Sequence, residues 1–107
     1  MEIVSIDFFT VPAESKEAFR KQSRIIQGFI RTLPGFVDGY FYEKKDGISE
    51  YNYVTTAVWR NQEAFESAGK SIFSEFQRIG FNPQEFFTKL NVKRIRSEYD
   101  RLAYYTE

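Results

Sequence analysis

No cysteine and no histidine occurs among the 107 residues. Disulfides, thiolate nucleophiles, imidazole bases and metal sites built on Cys or His are thereby excluded. A carboxylate-only metal site would need Asp and Glu gathered in one binding loop, and no stretch gathers them. Net charge is missing too, since 15 Lys and Arg balance 15 Asp and Glu. No overall field draws such a chain to nucleic acid or to an anionic membrane. Its longest basic run, Lys93-Arg94-Ile95-Arg96, is followed at once by Glu98 and Asp100 and reads as a solvated edge. An RNP-like Lys/Arg-Gly-Phe-x-Phe stretch is also lacking, which argues against RNA. No run approaches the ~18 apolar residues of a membrane span. The first five residues, Met1 to Ser5, have neither the basic nor the apolar part of a signal peptide. A cytoplasmic location is the expectation.

Aromatic residues are what the chain has in excess: 12 Phe, 7 Tyr and one Trp. Burying one such ring removes about 150–250 Å² from water, on the order of 4–6 kcal/mol before entropy. Twenty rings are hard to hide in one small domain, so several should line a pocket or an interface.

The central stretch runs from Tyr51 to Trp59. It has no Gly, Pro, Asp, Glu or Lys and reads as a strand with both faces covered. Asn61 follows as a helix N-cap, with Glu63 in the first turn of a helix from Gln62 to about Ile79. Gly80 stops it. Upstream, Ile3–Val11 is a strand with Val4, Ile6 and Phe8 on one face and Ile3, Phe9 and Val11 on the other, interrupted by Ser5 and Asp7. Pro12 ends it. Apolar residues at Ala18, Phe19, Ile25, Ile26, Phe29, Ile30 and Leu33 predict a helix over Glu14–Leu33, with Arg20 and Arg24 on its solvent side. Pro34-Gly35 closes that helix. Phe36–Lys44 is a second strand, with Phe36, Asp38, Tyr40 and Tyr42 opposing Val37, Gly39 and Phe41. Asp46-Gly47 lies in a loop, so the strands on either side should pair antiparallel.

Asn82-Pro83-Gln84-Glu85 opens a short helix to Lys89. The last segment, Asn91–Tyr105, is two-sided. Val92, Ile95, Tyr99 and Leu102 have helical spacing, while Tyr99, Tyr104 and Tyr105 suit a strand that closes an open sheet edge. Taken as a strand, it gives β-α-β-β-α-(α)-β. This is an α+β, ferredoxin-like order in one domain over 1–107: a four-stranded antiparallel sheet with helices on one face.

Leu33-Pro34-Gly35-Phe36, then Tyr40 and Tyr42-Glu43, then Val54 to Phe65 with its Trp59-x-x-x-Glu63-Ala64-Phe65, resembles the antibiotic-biosynthesis monooxygenase family. The resemblance spans the whole chain and supports the final strand. It implies a dimeric α/β barrel, in which two sheets pack face to face as a homodimer. It also implies a cofactor-independent monooxygenase acting on a small phenolic or quinol substrate. Haem-degrading relatives ligate iron through a histidine after strand three, where this chain has Ala68-Gly69-Lys70-Ser71. No haem is therefore expected, and no Gly-rich dinucleotide loop suggests a flavin. Several members carry asparagine four residues before the tryptophan; here that residue is Thr55. The alternative is a non-catalytic dimeric module binding a small hydrophobic ligand.

Within that frame Trp59 is either a pocket wall with a hydrogen-bond donor or a core ring. Asp38 and Asp7, carboxylates in apolar strands, are either general bases or partners of Arg24, Arg94 or Arg96. Thr55 is a hydrogen-bonding candidate. Tyr40, Tyr51 and Tyr53 either position and deprotonate a phenol or pack the sheet and dimer. Arg24 and Arg60 either hold a substrate anion or face solvent. Catalytic Trp59, Asp38 and Thr55, with substrate-binding Tyr40, Tyr51, Tyr53 and Arg24, is the expected set.

Overall fold

Most element boundaries fall at residues that cannot continue the element before them. The computed structural model describes residues 1–102 and contains β1 (Ile3–Thr10), α1 (Lys16–Ile30), β2 (Phe36–Glu43), β3 (Tyr53–Trp59), α2 (Gln62–Ile79), α3 (Pro83–Leu90) and β4 (Lys93–Asp100). Pro12 turns the chain out of β1 into a single 3-10 turn, Ala13–Ser15, ahead of α1. The Asn61 side chain accepts from Ala64 N–H at 2.8 Å at the start of α2, and Gly80 ends that helix at φ +71. Asn82 caps α3 in the same way, accepting from Glu85 N–H at 3.1 Å, and Asn91 ends it in the left-handed region.

The strands lie in the order β2-β3-β1-β4, and every neighbouring pair is antiparallel. This is the ferredoxin-like α+β arrangement. The sheet does not close on itself, and β2 and β4 remain as edges. The final segment is a strand, as its tyrosines and the open edge predict; Tyr104 and Tyr105 lie outside the described residues.

Helices cover one face of the sheet. On it, β1 contributes Ile3, Ser5, Asp7 and Phe9, and β3 contributes Tyr53, Thr55, Ala57 and Trp59. At one end Phe9, Val11, Phe19, Tyr53 and Val92 form the core, with Phe41, Phe87 and Leu90 against it. The Phe19 ring meets Phe9 edge-on at 4.9 Å and Tyr53 at 5.0 Å, locking α1 to the sheet. The opposite face, carrying Val4, Ile6, Phe8, Tyr40, Tyr42, Ile95 and Tyr99, has no helix over it, so a single chain does not cover both faces as the composition predicts.

Three further expectations need correction. The strand predicted from Tyr51 starts at Tyr53, because Asn52 turns its carboxamide onto Val11, accepting from the backbone N–H and donating to the carbonyl, both at 2.8 Å. Phe36 does not share a face with Asp38. The register shifts between them, so Phe36 pairs with Trp59 on the covered side while Asp38 pairs with Val58 on the open side. Arg20 turns inward, as described below.

Beyond the polar centre lies a second apolar cluster, at the corner where β2 begins and β3 ends. Phe36 packs edge-on against Trp59, ring centroids 5.5 Å apart at 83°. Gly35 has φ +83, and its carbonyl accepts from Arg60 N–H at 2.8 Å. A Cβ on Gly35 would lie 2.4 Å from Ala64 Cβ. Only glycine allows both the conformation and the contact. The Pro-Gly-Phe and Trp-x-x-x-Glu-Ala-Phe stretches are therefore two sides of one joint.

Candidate functional site

Between the core and the corner the covered face turns polar. Strand register builds it in two rows. One row runs Phe41, Thr55, Asp7 and Arg96; the other runs Gly39, Ala57, Ser5 and Glu98. Gly39, Ala57 and Ser5 leave a low floor, and a Cβ on Gly39 would meet the Thr56 carbonyl at 2.5 Å. Ser5, Asp7 and Thr55 are all buried.

Asp7 is held by Arg96, whose Nε donates at 2.6 Å to one carboxylate oxygen and whose Nη2 donates at 2.9 Å to the other. The Asp7 side chain is 11% exposed and that of Arg96 50%. The carboxylate is thus sunk below the helices while its partner reaches towards solvent. The bond to Asp7 raises the Arg96 pKa despite burial, so the guanidinium stays charged. This single bidentate pair uses two acceptor positions of the carboxylate and leaves others for a further donor.

At the core end, Tyr53 is 1% exposed. Its O–H donates to Glu43, and Arg20 Nη1 approaches both the Tyr53 oxygen and Glu43 Oε2 at 3.2 Å. Burial first, then the bond to Glu43, raises the Tyr53 pKa above its ordinary 10.0. The same bond lowers that of Glu43 below 4.5. Tyr53 is therefore a protonated donor near neutral pH and not a base. Glu43 stabilises the fold above pH 4.5, and that contribution is lost as pH falls through its lowered folded value. Tyr53 stabilises it below pH 10, and that contribution is lost as pH rises through its raised folded value. Tyr53→Phe should accordingly differ most from the parent near neutral pH, with the gap narrowing at both extremes. Urea midpoints from about pH 3 to about pH 11 check this, and a pH-independent gap would contradict it.

The expected site residues divide between the two faces. Trp59, Thr55 and Tyr53 share the covered side with Asp7. Asp38 lies on the open side, accepting from Tyr40 O–H at 3.0 Å, a bond that raises the Tyr40 pKa. Tyr51 packs on Phe8 at 5.6 Å, also on the open side. Arg24 is exposed on α1 and Arg60 beyond β3, and among the described residues neither side chain makes a hydrogen bond or ion pair. Trp59 is 2% exposed. One cleft opens beside Phe29, Lys70 and Arg78, another beside Asn82, Phe87 and Arg94, and neither reaches Trp59. Sequence reasoning left Ser5 out of the site, although its signal was present: a polar residue at alternate spacing with Asp7 in an otherwise apolar strand.

An open ferredoxin-like sheet with helices on one side and a buried polar strip beneath them places the chain in a known class. It belongs to the antibiotic biosynthesis monooxygenase family, whose profile matches residues 3–79. Among solved structures it is similar to a candidate monooxygenase from Shewanella loihica PV-4, at 19% identity and TM-score 0.72 over 95% of each chain. A point mutant of SnoaB from Streptomyces nogalater, a cofactor-independent oxygenase, gives 23% and 0.66 over 98% of this chain and 95% of that one. A mutant of MhuD, with two manganese protoporphyrin IX bound per active site, gives 17% and 0.71 over 98% and 99%. At these identities the likeness establishes the fold alone. No curated protein matches the chain.

Proposed function

We propose that the protein is a cofactor-independent monooxygenase of a small phenol or quinol, which it binds between the helices and the Ser5–Asp7–Thr55 strip. The observation that carries this reading is the strip itself, a buried carboxylate with hydroxyls beside it, set between two aromatic clusters. Asp7 takes the phenolic proton, in place of Asp38 on the other face. The Thr55 hydroxyl orients the resulting anion, the Tyr53 ring flanks it while its single O–H stays on Glu43, and Trp59 bounds the far end. The ring carbon para to the oxygen, or in a quinol the hydrogen-bearing carbon ortho to it, takes up O2. The O–O bond then breaks as that carbon loses its proton, leaving a carbonyl and water. Phenol and O2 thus give quinone and water, with all four electrons from the substrate and no further reductant. The protein supplies desolvation, orientation and charge placement. A porphyrin does not fit these residues: no histidine exists to hold its iron, and Ala68-Gly69-Lys70-Ser71 occupies the stretch in which the haem-degrading relatives carry one.

A second copy covers the open face in this reading. Tyr40, Tyr42, Ile95 and Tyr99 are each about half exposed there beside Val4, Ile6 and Phe8, a wide apolar surface for one soluble chain. Tyr40 and Tyr51 then serve the dimer and not the substrate.

The sealed Trp59 favours one other reading, a non-catalytic dimeric module that takes up a small hydrophobic ligand. Oxygen uptake separates the two. A panel of phenols, quinols and anthrones under labelled O2 should yield one labelled atom in the product and one in water. Binding of the panel without any uptake would select the module. Light scattering on the same sample should give twice the 12.7 kDa of one chain; a single-chain mass at micromolar concentration would remove the dimer.

A further inference from the structure

Arg94 stands apart from the other charges of β4. Its side chain points to the covered face, level with Phe9, and its guanidinium lies 5.4 Å over the Phe87 ring. Among the described residues it has no carboxylate within ion-pair distance. The next cation along that face, Arg96, is taken up by Asp7. Burial, and then the charge of Arg96, disfavour the protonated form of Arg94. Arg94 remains exposed, and a guanidinium held against an aromatic face with no carboxylate bonded to it is arranged to receive one.

The space in front of it suits a small ligand. Arg94 lines a cleft of about 420 Å³ with Asn82, Pro83, Gln84, Phe87 and Thr88. The cleft is open to solvent, with Asn82, Gln84, Thr88 and Arg94 all exposed, so it would hold one face and one edge of a small ligand. Pro83 and Phe87 offer apolar surface, while Asn82, Gln84 and Thr88 offer hydrogen bonds. The Asn82 oxygen is engaged in capping α3, which leaves its amide N–H groups free to donate.

We infer that this cleft binds the carboxylate of a small planar aromatic acid, with the guanidinium fork gripping the carboxylate and Pro83 and Phe87 flanking the ring. A fork matches a carboxylate with two parallel bonds, which a lysine cannot reproduce. The cleft shares no residue with the Ser5–Asp7–Thr55 strip, so the inference stands independently of oxygenation.

Calorimetric titration with benzoate, benzamide and inorganic phosphate tests it. Benzoate should saturate the parent protein, with benzamide and phosphate each at least about tenfold weaker. Arg94→Gln should weaken benzoate at least about tenfold, and Arg94→Lys should restore only part of the loss. On the parent alone, benzoate should shift the amide resonances of residues 82, 84–88 and 92–94 and leave those of Ser5, Asp7 and Thr55 in place. The inference fails if benzoate shows no saturable binding up to about 10 mM. It also fails if Arg94→Gln binds as the parent does, if phosphate binds as tightly as benzoate, or if the shifts map elsewhere.

Discussion

Asp7→Asn is expected to lower turnover of a phenolic substrate by about 10²–10⁴, the range for loss of a positioned general base. The substitution keeps the shape of the side chain but turns an acceptor into an amide that must place its own N–H groups against Arg96. Stability should therefore fall as well, by about 1–3 kcal/mol, moderated because half of Arg96 lies in solvent. The two effects are separable. Turnover per folded molecule, measured well below the unfolding transition, isolates the chemistry. Asp38→Asn, on the opposite face, should leave turnover unchanged. A folded Asp7→Asn protein that turns over as the parent does would reduce Asp7 to the anchor of Arg96.

Trp59→Ala should destabilise the protein by about 3–5 kcal/mol, as large-to-small changes at buried aromatic sites do. The ring is 2% exposed, and its loss would empty the space beside Phe36 at the joint between β2, β3 and α2. Trp59→Phe keeps most of the apolar contact, removes the indole N–H, and should fold. Urea unfolding of both variants and phenol binding by the second decide the role of the ring. If Trp59→Phe binds and turns over as well as the parent, Trp59 belongs to the scaffold. Weakened binding in a stable variant places the N–H in the site.

The helices could be read from the sequence because their signals are local. Asn61, Gly80, Asn82 and Pro83 each act on backbone groups within four residues. The last strand was not so readable, since Val92, Ile95, Tyr99 and Leu102 have helical spacing. What makes β4 a strand is its pairing with β1 from the far end of the chain, which no local window contains. Asp7 and Asp38 show the same limit at the site. Each is a carboxylate in an apolar strand, and by sequence the two are equivalent. The extra residue between Phe36 and Asp38 separates them, since a regular β2 with Phe36 on Trp59 would also have turned Asp38 to the covered face. Thr55 lies beside Asp7 only through the β1–β3 register, so the strip becomes visible once strands are aligned.

The attachment of β4 also bears on how fast the molecule assembles. β4 joins the sheet through β1 alone, and the Ile3–Asp100 pair brings together positions from opposite ends of the described chain. Such pairing is slow, because a long loop must close before any contact compensates its lost entropy. β4 is then among the last elements to dock and the first to peel away, and its amides should exchange with solvent sooner than those of β3. The Arg96–Asp7 pair and the Arg94 cleft both depend on that final step. An acid seated on Arg94 would consequently act as a latch, populating the closed chain in proportion to its own concentration.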